Sequence, residues 1–281
     1  MPEGWEWDDT LFLGSAPYYR RGRLPYAPGL AELLAEVLML DGRGRLLDVG
    51  CGPGTLALNL AHLFGEVVGV DPDSGMIAEA GQQAEKAGVA RKARWVLARA
   101  EELPAGLGTF TVATFGQSFH WMDRDLVAAT VKGMLRSAGA FVHISDLKTR
   151  TRAVDGLPCP GVPYTAINDL VGRYLGPVRR AGRGVLRYGT PSGEAAVLSR
   201  AGFAGPERHV VPGGQALERS CDEVVALVFS TSSSAPHLFG TRRGDFEADL
   251  RQLLGETSPS GRFSERQPGT EVFVWRVPSA R

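Results

Sequence analysis

From residue 28 to residue 145, short apolar runs and amphipathic segments alternate without a break, and nothing else in the chain restricts the fold as much. GLAELLAEVLML (29–40) places apolar residues at helical spacing, and RLLDVG (45–50) follows as a short buried strand. TLALNLAHLF (55–64) predicts a helix and EVVGVD (66–71) a second strand. SGMIAEAGQQAEKAG (74–88) predicts a helix capped by Ser74 and stopped at Gly88. ARWVLAR (93–99) and FTVATFGQ (110–117) are the third and fourth strands, DLVAATVKGML (125–135) a helix, and GAFVHIS (139–145) the fifth strand. Strands separated by helices must run parallel and be joined by crossovers, so the expected fold is α/β, a doubly wound and mostly parallel sheet.

After Asp146 the rhythm breaks into a tract rich in Pro, Gly and Arg over 147–190, with one helix around 167–175. Helical patterns return at 192–203, 220–233 and 244–256, and strand patterns at ERHVV (207–211) and TEVFVWRVP (270–278). The reading divides the chain into lead-in helices (1–40), a ligand-binding core (41–146), a lid insertion (147–190) and a segment that completes the sheet with further lid helices (191–281).

Composition excludes several classes. Acidic and basic residues number 31 each, so no net charge draws the chain to nucleic acid or an anionic membrane. Cys51, Cys159 and Cys221 are odd in number and form no CxxC pair, which argues against a disulfide framework or a cysteine zinc site. No cluster of His and acids suggests a metal. The start, MPEGWEWDDT, lacks the basic and apolar regions of a signal peptide, and no apolar run approaches the ~20 residues that span a bilayer. The expectation is a soluble, cytoplasmic protein of undefined oligomeric state, with neither nucleic acid nor membrane as partner.

The loop LLDVGCGPGT (46–55) is where a ligand belongs. Its glycines Gly50, Gly52 and Gly54 follow a GxGxG spacing, with Thr55 where a dinucleotide fingerprint has its third glycine. Asp48 stands two residues ahead, where it would repel a pyrophosphate and hold an ammonium. S-Adenosylmethionine (SAM) carries an amino group and a sulfonium and no phosphate. Asp71 ends the second strand, 21 residues after Gly50, where a ribose-binding acid sits in nucleotide folds. Met76 lies one helical turn further on, against adenine or within the core. An NAD-dependent oxidoreductase is the competing reading, and Thr55, Asp48 and the segment at Ala100 count against it.

Four stretches in order, LLDVGCGPGT, VVGVDPDSGMIAEA, ARAEELP and FGQSFHWMD, resemble the class I SAM-dependent methyltransferases. More narrowly they resemble the small-molecule branch that includes trans-aconitate methyltransferase-like proteins. The resemblance covers about residues 18–145. It implies a Rossmann-like sheet of the seven-stranded methyltransferase type with lid insertions. It places Asp48, Gly50 and Gly52 beside the methionine part of SAM and Asp71 on the ribose hydroxyls. Ala100 and Glu101 would meet adenine, although Arg99 stands where many relatives have an acid. Gln117 matches the residue that ends the fourth strand beside the methionine. YYRRGRLPY resembles the family's lead-in, with Leu24 in place of a proline, and makes Tyr19 and Arg23 candidates for covering the cofactor or its carboxylate.

GQSFHW after the fourth strand puts His120 and Trp121 near the sulfonium on this reading, His120 as a base or a pocket residue and Trp121 as a pocket residue. His143, inside the fifth strand, reads as a satisfied buried histidine, and Asp146 beyond it as facing the pocket. A carboxylate acceptor would instead need a cationic clamp from Arg124, Arg150, Arg152 or Arg183. The absence of a [DNS]PP[YFW] motif, with no basic tract, argues against nucleic acid or protein amides as acceptors. The expected activity is methyl transfer from SAM to oxygen, nitrogen or carbon of a small organic metabolite, releasing S-adenosylhomocysteine. The alternative is a SAM-binding protein with a non-methylating or purely binding role.

Overall fold

A computed structural model describes residues 8, 10–147, 156–181, 184–185 and 193–278. The chain begins with α1 (Ala16–Gly22) and α2 (Leu30–Val37), then enters the alternating region: β1 (Arg45–Val49), α3 (Thr55–Leu60), β2 (Glu66–Asp71), α4 (Ser74–Lys86) and β3 (Ala93–Leu97). β4 (Phe110–Gly116), α5 (Arg124–Met134) and β5 (Leu135–Asp146) complete it. α6 (Tyr164–Leu175), a two-residue ladder of β6 (Arg180–Ala181) and β7 (Gly184–Val185), α7 (Glu194–Arg200) and β8 (Ala204–Val211) follow. The chain closes through β9 (Ala216–Ser220), α8 (Cys221–Phe229), α9 (Arg243–Thr257), β10 (Arg262–Arg266) and β11 (Thr270–Arg276).

Seven strands form the central sheet in the order β3-β2-β1-β4-β5-β11-β8. The first five are parallel, and β11 runs antiparallel between β5 and β8. The order reverses between β1 and β4, which opens a crevice beyond their carboxyl ends. One face buries Val127 and Val131 of α5 and Val197 and Leu198 of α7; the other buries Leu30 and Leu34 of α2 and Leu56 and Leu60 of α3. The expected helix over 55–64 is α only to Leu60, and Ala61–Leu63 tightens into a 3-10 turn. Ser74 is not the cap of α4. Asp73 takes that place, its carboxylate accepting from the Met76 amide at 2.9 Å, because its backbone is extended where Ser74 is already helical.

α6, α8 and α9 share a separate apolar core around Phe229, Phe239 and Phe246, and Tyr18 of α1 packs against it. α1 crosses α8 so closely that a Cβ on Gly22 would fall 2.4 Å from the Ala226 backbone. β9 and β10, antiparallel to each other, have no counterpart in the sequence reading. They carry the buried pair Arg219–Glu265, 5% and 2% exposed and 3.1 Å apart. Arg219 also donates to the carbonyls of Gly22 at 2.7 Å and Glu223 at 3.1 Å, while the Tyr164 hydroxyl donates to Glu265. The carboxyl end of α1 is thus tied to β9, β10 and the start of α8 by one guanidinium. No helix among the described residues is long and apolar enough to cross a membrane.

Removing one partner of a buried ion pair leaves the other charged and unpaired. Arg219→Ala should lower the unfolding free energy in urea by about 3–5 kcal/mol. A loss below about 1 kcal/mol would mean that this pair is solvated rather than buried.

Candidate functional site

Three pockets meet at the carboxyl end of β4, and Gln117 lines all of them. Gln117 is exposed and sits at φ 56°, in the left-handed region where a residue with a Cβ is uncommon, held by its amide donating to the Ile144 carbonyl at 3.0 Å.

The outer pocket lies between Tyr19, Asp71, Met76, Ala100, Glu101 and Trp121. Asp8, Asp71, Asp73 and Glu101 line it, and no Lys or Arg does among the described residues. Asp71 accepts from the Gly52 amide at 2.8 Å and the Asp73 amide at 3.0 Å, so its carboxylate fixes the glycine loop and the start of α4 together. Glu101 accepts from the Asp123 amide at 2.9 Å and pairs with Arg99 at 3.5 Å, so the arginine that replaces the expected acid is itself held by Glu101. Met76 is 2% exposed yet reaches the pocket wall. The Trp121 ring is braced edge-on by Phe12 at 6.5 Å.

The inner pocket continues inward past Tyr19, Arg23, Tyr26, Asp48 and Asp146. The Arg23 guanidinium lies 5.1 Å over the Tyr19 ring and donates to the Ser230 carbonyl at 2.8 Å. Asp48 is 1% exposed; its Oδ1 accepts from the Thr114 hydroxyl at 2.8 Å and its Oδ2 has no hydrogen-bond partner. Burial pushes the Asp48 carboxyl up to about 7, against the pull of the Thr114 hydroxyl and the Ala57 amide and with help from the nearby Asp71 charge. Burial likewise raises Asp71 to about 6, although the amides of Asp73 and Gly52 favour its ionised form. Tyr26, which the sequence reading did not select, closes this pocket over Gly116; burial raises its hydroxyl well above the ordinary range.

The three loop glycines serve different ends. A Cβ on Gly50 would meet Ser118 at 2.5 Å, and one on Gly54 would meet Trp95 at 2.7 Å, so these two are demanded by packing. A Cβ on Gly52 would meet nothing within 4 Å; among the three, its space is open to a ligand.

The third cavity runs along the α7 side of the sheet, between His120, His143, Glu194, Glu271, Phe273 and Trp275. His120 and Trp121 therefore part company: their rings are 4.7 Å apart, but His120 lines this cavity and Trp121 the outer pocket. His143, expected as a satisfied buried histidine, is partly buried, has no hydrogen-bond partner among the described residues and lines the cavity. Alternation on β5 sends Val142 and Ile144 into the core beneath α2 and α3, and Phe141 and His143 to the face of α5 and α7, where Phe141 is buried and His143 meets the cavity. Asp146 borders both this cavity and the inner pocket. Arg124 lines none of the three pockets, and Arg150, Arg152 and Arg183 lie outside the described residues. No group of His, Cys, Asp and Glu that could hold a metal occurs among the described residues.

The glycine loop and the strands around it match a family model described as "Methyltransferase domain" over residues 46–139. That match spans about a third of the chain. The probable S-adenosylmethionine-dependent methyltransferase CRG1 of Saccharomyces cerevisiae is 29% identical over 100 residues, 35% of this chain and 34% of that protein. An uncharacterized methyltransferase of Schizosaccharomyces pombe is 31% identical over 133 residues, 46% of this chain and 49% of its own. The chain thus spans from a third to half the length of these relatives. Among solved structures, YjhP from Escherichia coli aligns with a TM-score of 0.52 at 16% identity, covering 96% of this chain and 99% of its own. A putative methyltransferase from Bacillus halodurans aligns at 0.51 and 16% identity, covering 89% and 100%. At these identities the likeness shows the fold, the seven-stranded Rossmann-like sheet.

Both raised acids carry a stability cost that depends on pH. Between about pH 4 and 7 the folded chain keeps protons that the unfolded chain has released, so their contribution falls as pH rises through that window. Asp48→Asn should therefore be more stable than the parent at pH 8, by on the order of 2 kcal/mol in urea unfolding, with the difference shrinking towards pH 5. A constant difference across that range would place Asp48 at an ordinary carboxylate value.

Proposed function

We propose that the chain transfers the methyl group of SAM to a nucleophilic atom of a small organic acceptor. The observation that carries this reading is the charge of the joined outer and inner pockets. Four acids and no base among the described residues line the outer pocket, which suits a neutral nucleoside and opposes a pyrophosphate. Asp48, whose Oδ2 is without a hydrogen-bond partner, lines a pocket that also holds Arg23, which suits a ligand bearing both an ammonium and a carboxylate.

On this reading Asp71 binds the ribose hydroxyls, and Met76, Ala100, Glu101 and Trp121 frame the adenine. Tyr19, Arg23, Asp48, Gly50, Gly52 and Gln117 hold the methionine part. SAM supplies an electrophilic methyl on a sulfonium, and the chain's task is to hold an acceptor in line with it and away from water. The cavity reached past Gln117 is where that acceptor would enter, which leaves His120 as a pocket wall or proton acceptor.

Incubation with methyl-labelled SAM and an array of small organic acceptors tests the reading. Label should appear in a small product, and not in oligonucleotides or added protein. Tight binding of S-adenosylhomocysteine with no label transferred to any acceptor would favour the purely binding role. Asp71→Ala should weaken S-adenosylhomocysteine binding by on the order of 1–3 kcal/mol; unchanged affinity in the folded variant would remove the ribose assignment. An ammonium favours ionised Asp48, so affinity should rise as pH increases from 6 to 8, and a flat profile would detach Asp48 from the amino group.

A further inference from the structure

We propose that the cavity beside β5 is the acceptor site, that it takes an amino group borne on a flat aromatic body, and that His143 accepts the proton released as that nitrogen is methylated. The inference rests on the methyl-transfer reading above and names its acceptor class.

The cavity reaches the methyl donor's pocket at Gln117 and Asp146, which line both. Its floor is one face of the sheet. His143 lies opposite Phe273 and Ser145 opposite Glu271 in the β5–β11 ladder, so these four side chains and Trp275 share that face. The His143 and Phe273 rings stack at 6.4 Å and 25°, and Phe273 and Trp275 lie 5.9 Å apart, which makes a flat apolar wall for a flat ligand.

The groups that line the cavity with His143 come from five elements. Ser145 and Asp146 stand on its own strand, Glu271, Phe273 and Trp275 on β11, and Glu194 at the start of α7. His120 comes from the turn after β4 and Pro206 from β8. No Lys or Arg lines the cavity among the described residues, and Glu271 pairs with Arg208 at 2.6 Å from outside it. Asp146, Glu194 and Glu271 line it, and acids there disfavour a carboxylate or a phenolate. They favour a neutral N–H donor whose nitrogen becomes positive as the new bond forms.

His143 is suited to that nitrogen. Neither ring nitrogen has a hydrogen-bond partner among the described residues, and burial lowers its pKa, opposed by the charges of Glu194 and Glu271. The imidazole is therefore neutral at pH 7, ready to accept a proton but too weak a base to strip an alkylammonium. An arylamine is uncharged at that pH. Its lone pair attacks the methyl carbon, the carbon–sulfur bond breaks with its electron pair left on sulfur, and the N–H proton passes to His143. The products are the N-methyl arylamine, the neutral thioether and an imidazolium that returns its proton to water.

The experiment presents arylamines, phenols and aryl carboxylates with shared carbon skeletons to the whole protein and methyl-labelled SAM. Arylamines should take label at least about tenfold faster than either counterpart. His143→Gln should keep S-adenosylhomocysteine affinity within about twofold, lower kcat about 100-fold, and abolish the acid limb of the pH profile. Without any methyl donor, NMR should show the His143 imidazole titrating below the ordinary histidine range, and lower still in Glu194→Gln. Preferred labelling of phenols or carboxylates would overturn the proposal, as would a His143→Gln variant that retains kcat and the acid limb. Intact S-adenosylhomocysteine binding with no label in any arylamine would overturn it too and leave the cofactor reading standing. Loss of that binding in the parent protein would instead remove the reading on which the proposal rests.

Discussion

Two carboxylates buried beside one another under a glycine loop set the terms for the rest of this molecule. Asp71 gathers the amides of Gly52 and Asp73, and so fixes the loop after β1 relative to the start of α4. Asp48, beneath the same loop, leaves one oxygen without a partner although it is almost wholly out of water. An arrangement that costs stability in the free protein is expected where a ligand supplies the missing contact. The surrounding sheet holds that arrangement open: β1 and β4 diverge at the reversal of strand order, and Gln117 turns there in a left-handed conformation towards all three pockets.

The roof of the site has a different origin from its floor. Tyr19 and Arg23 belong to the N-terminal lead-in, yet what holds them is C-terminal. Arg219 grips the Gly22 carbonyl, Ser230 takes the Arg23 guanidinium, and α8 lies against α1 at a distance only glycine allows. Helices from both sides of residue 190 share one apolar core in this region, so α1 over the inner pocket and those helices form one packed body. Burial of the Arg219–Glu265 pair makes that link specific in geometry, because any shift of α1 strands a guanidinium hydrogen bond.

The alternating core was legible because each strand there is a short run of β-branched and aliphatic residues bounded by glycine or acid, and each helix repeats its apolar residues at helical spacing. The paired strands 216–220 and 262–266 were not, since ALERS and RFSER each mix charged and apolar residues and their buried charges read as solvated ones. The positions of Asp71 and the glycines carried the cofactor-like pocket. Their separate duties did not show, because what Gly50 and Gly54 touch, Ser118 and Trp95, lies far away in sequence. His143 was hidden for a related reason: GAFVHIS reads as a buried strand, and only the cavity between β5, β11 and the start of α7 shows where the imidazole lies. Asp73 displaced Ser74 at the helix cap by one residue, within the range in which a helix start is ambiguous when two capping residues are adjacent.

On the function proposed above, the joined pockets take a SAM-type ligand through Asp48 and Asp71. Calorimetric titration with S-adenosylhomocysteine at pH 6.5, in two buffers of different ionisation enthalpy and with NADH as control, tests it most directly. The account predicts micromolar binding of S-adenosylhomocysteine alone, accompanied by proton release as the ligand's ammonium ionises Asp48. Binding of NADH, or no binding of S-adenosylhomocysteine, would contradict it.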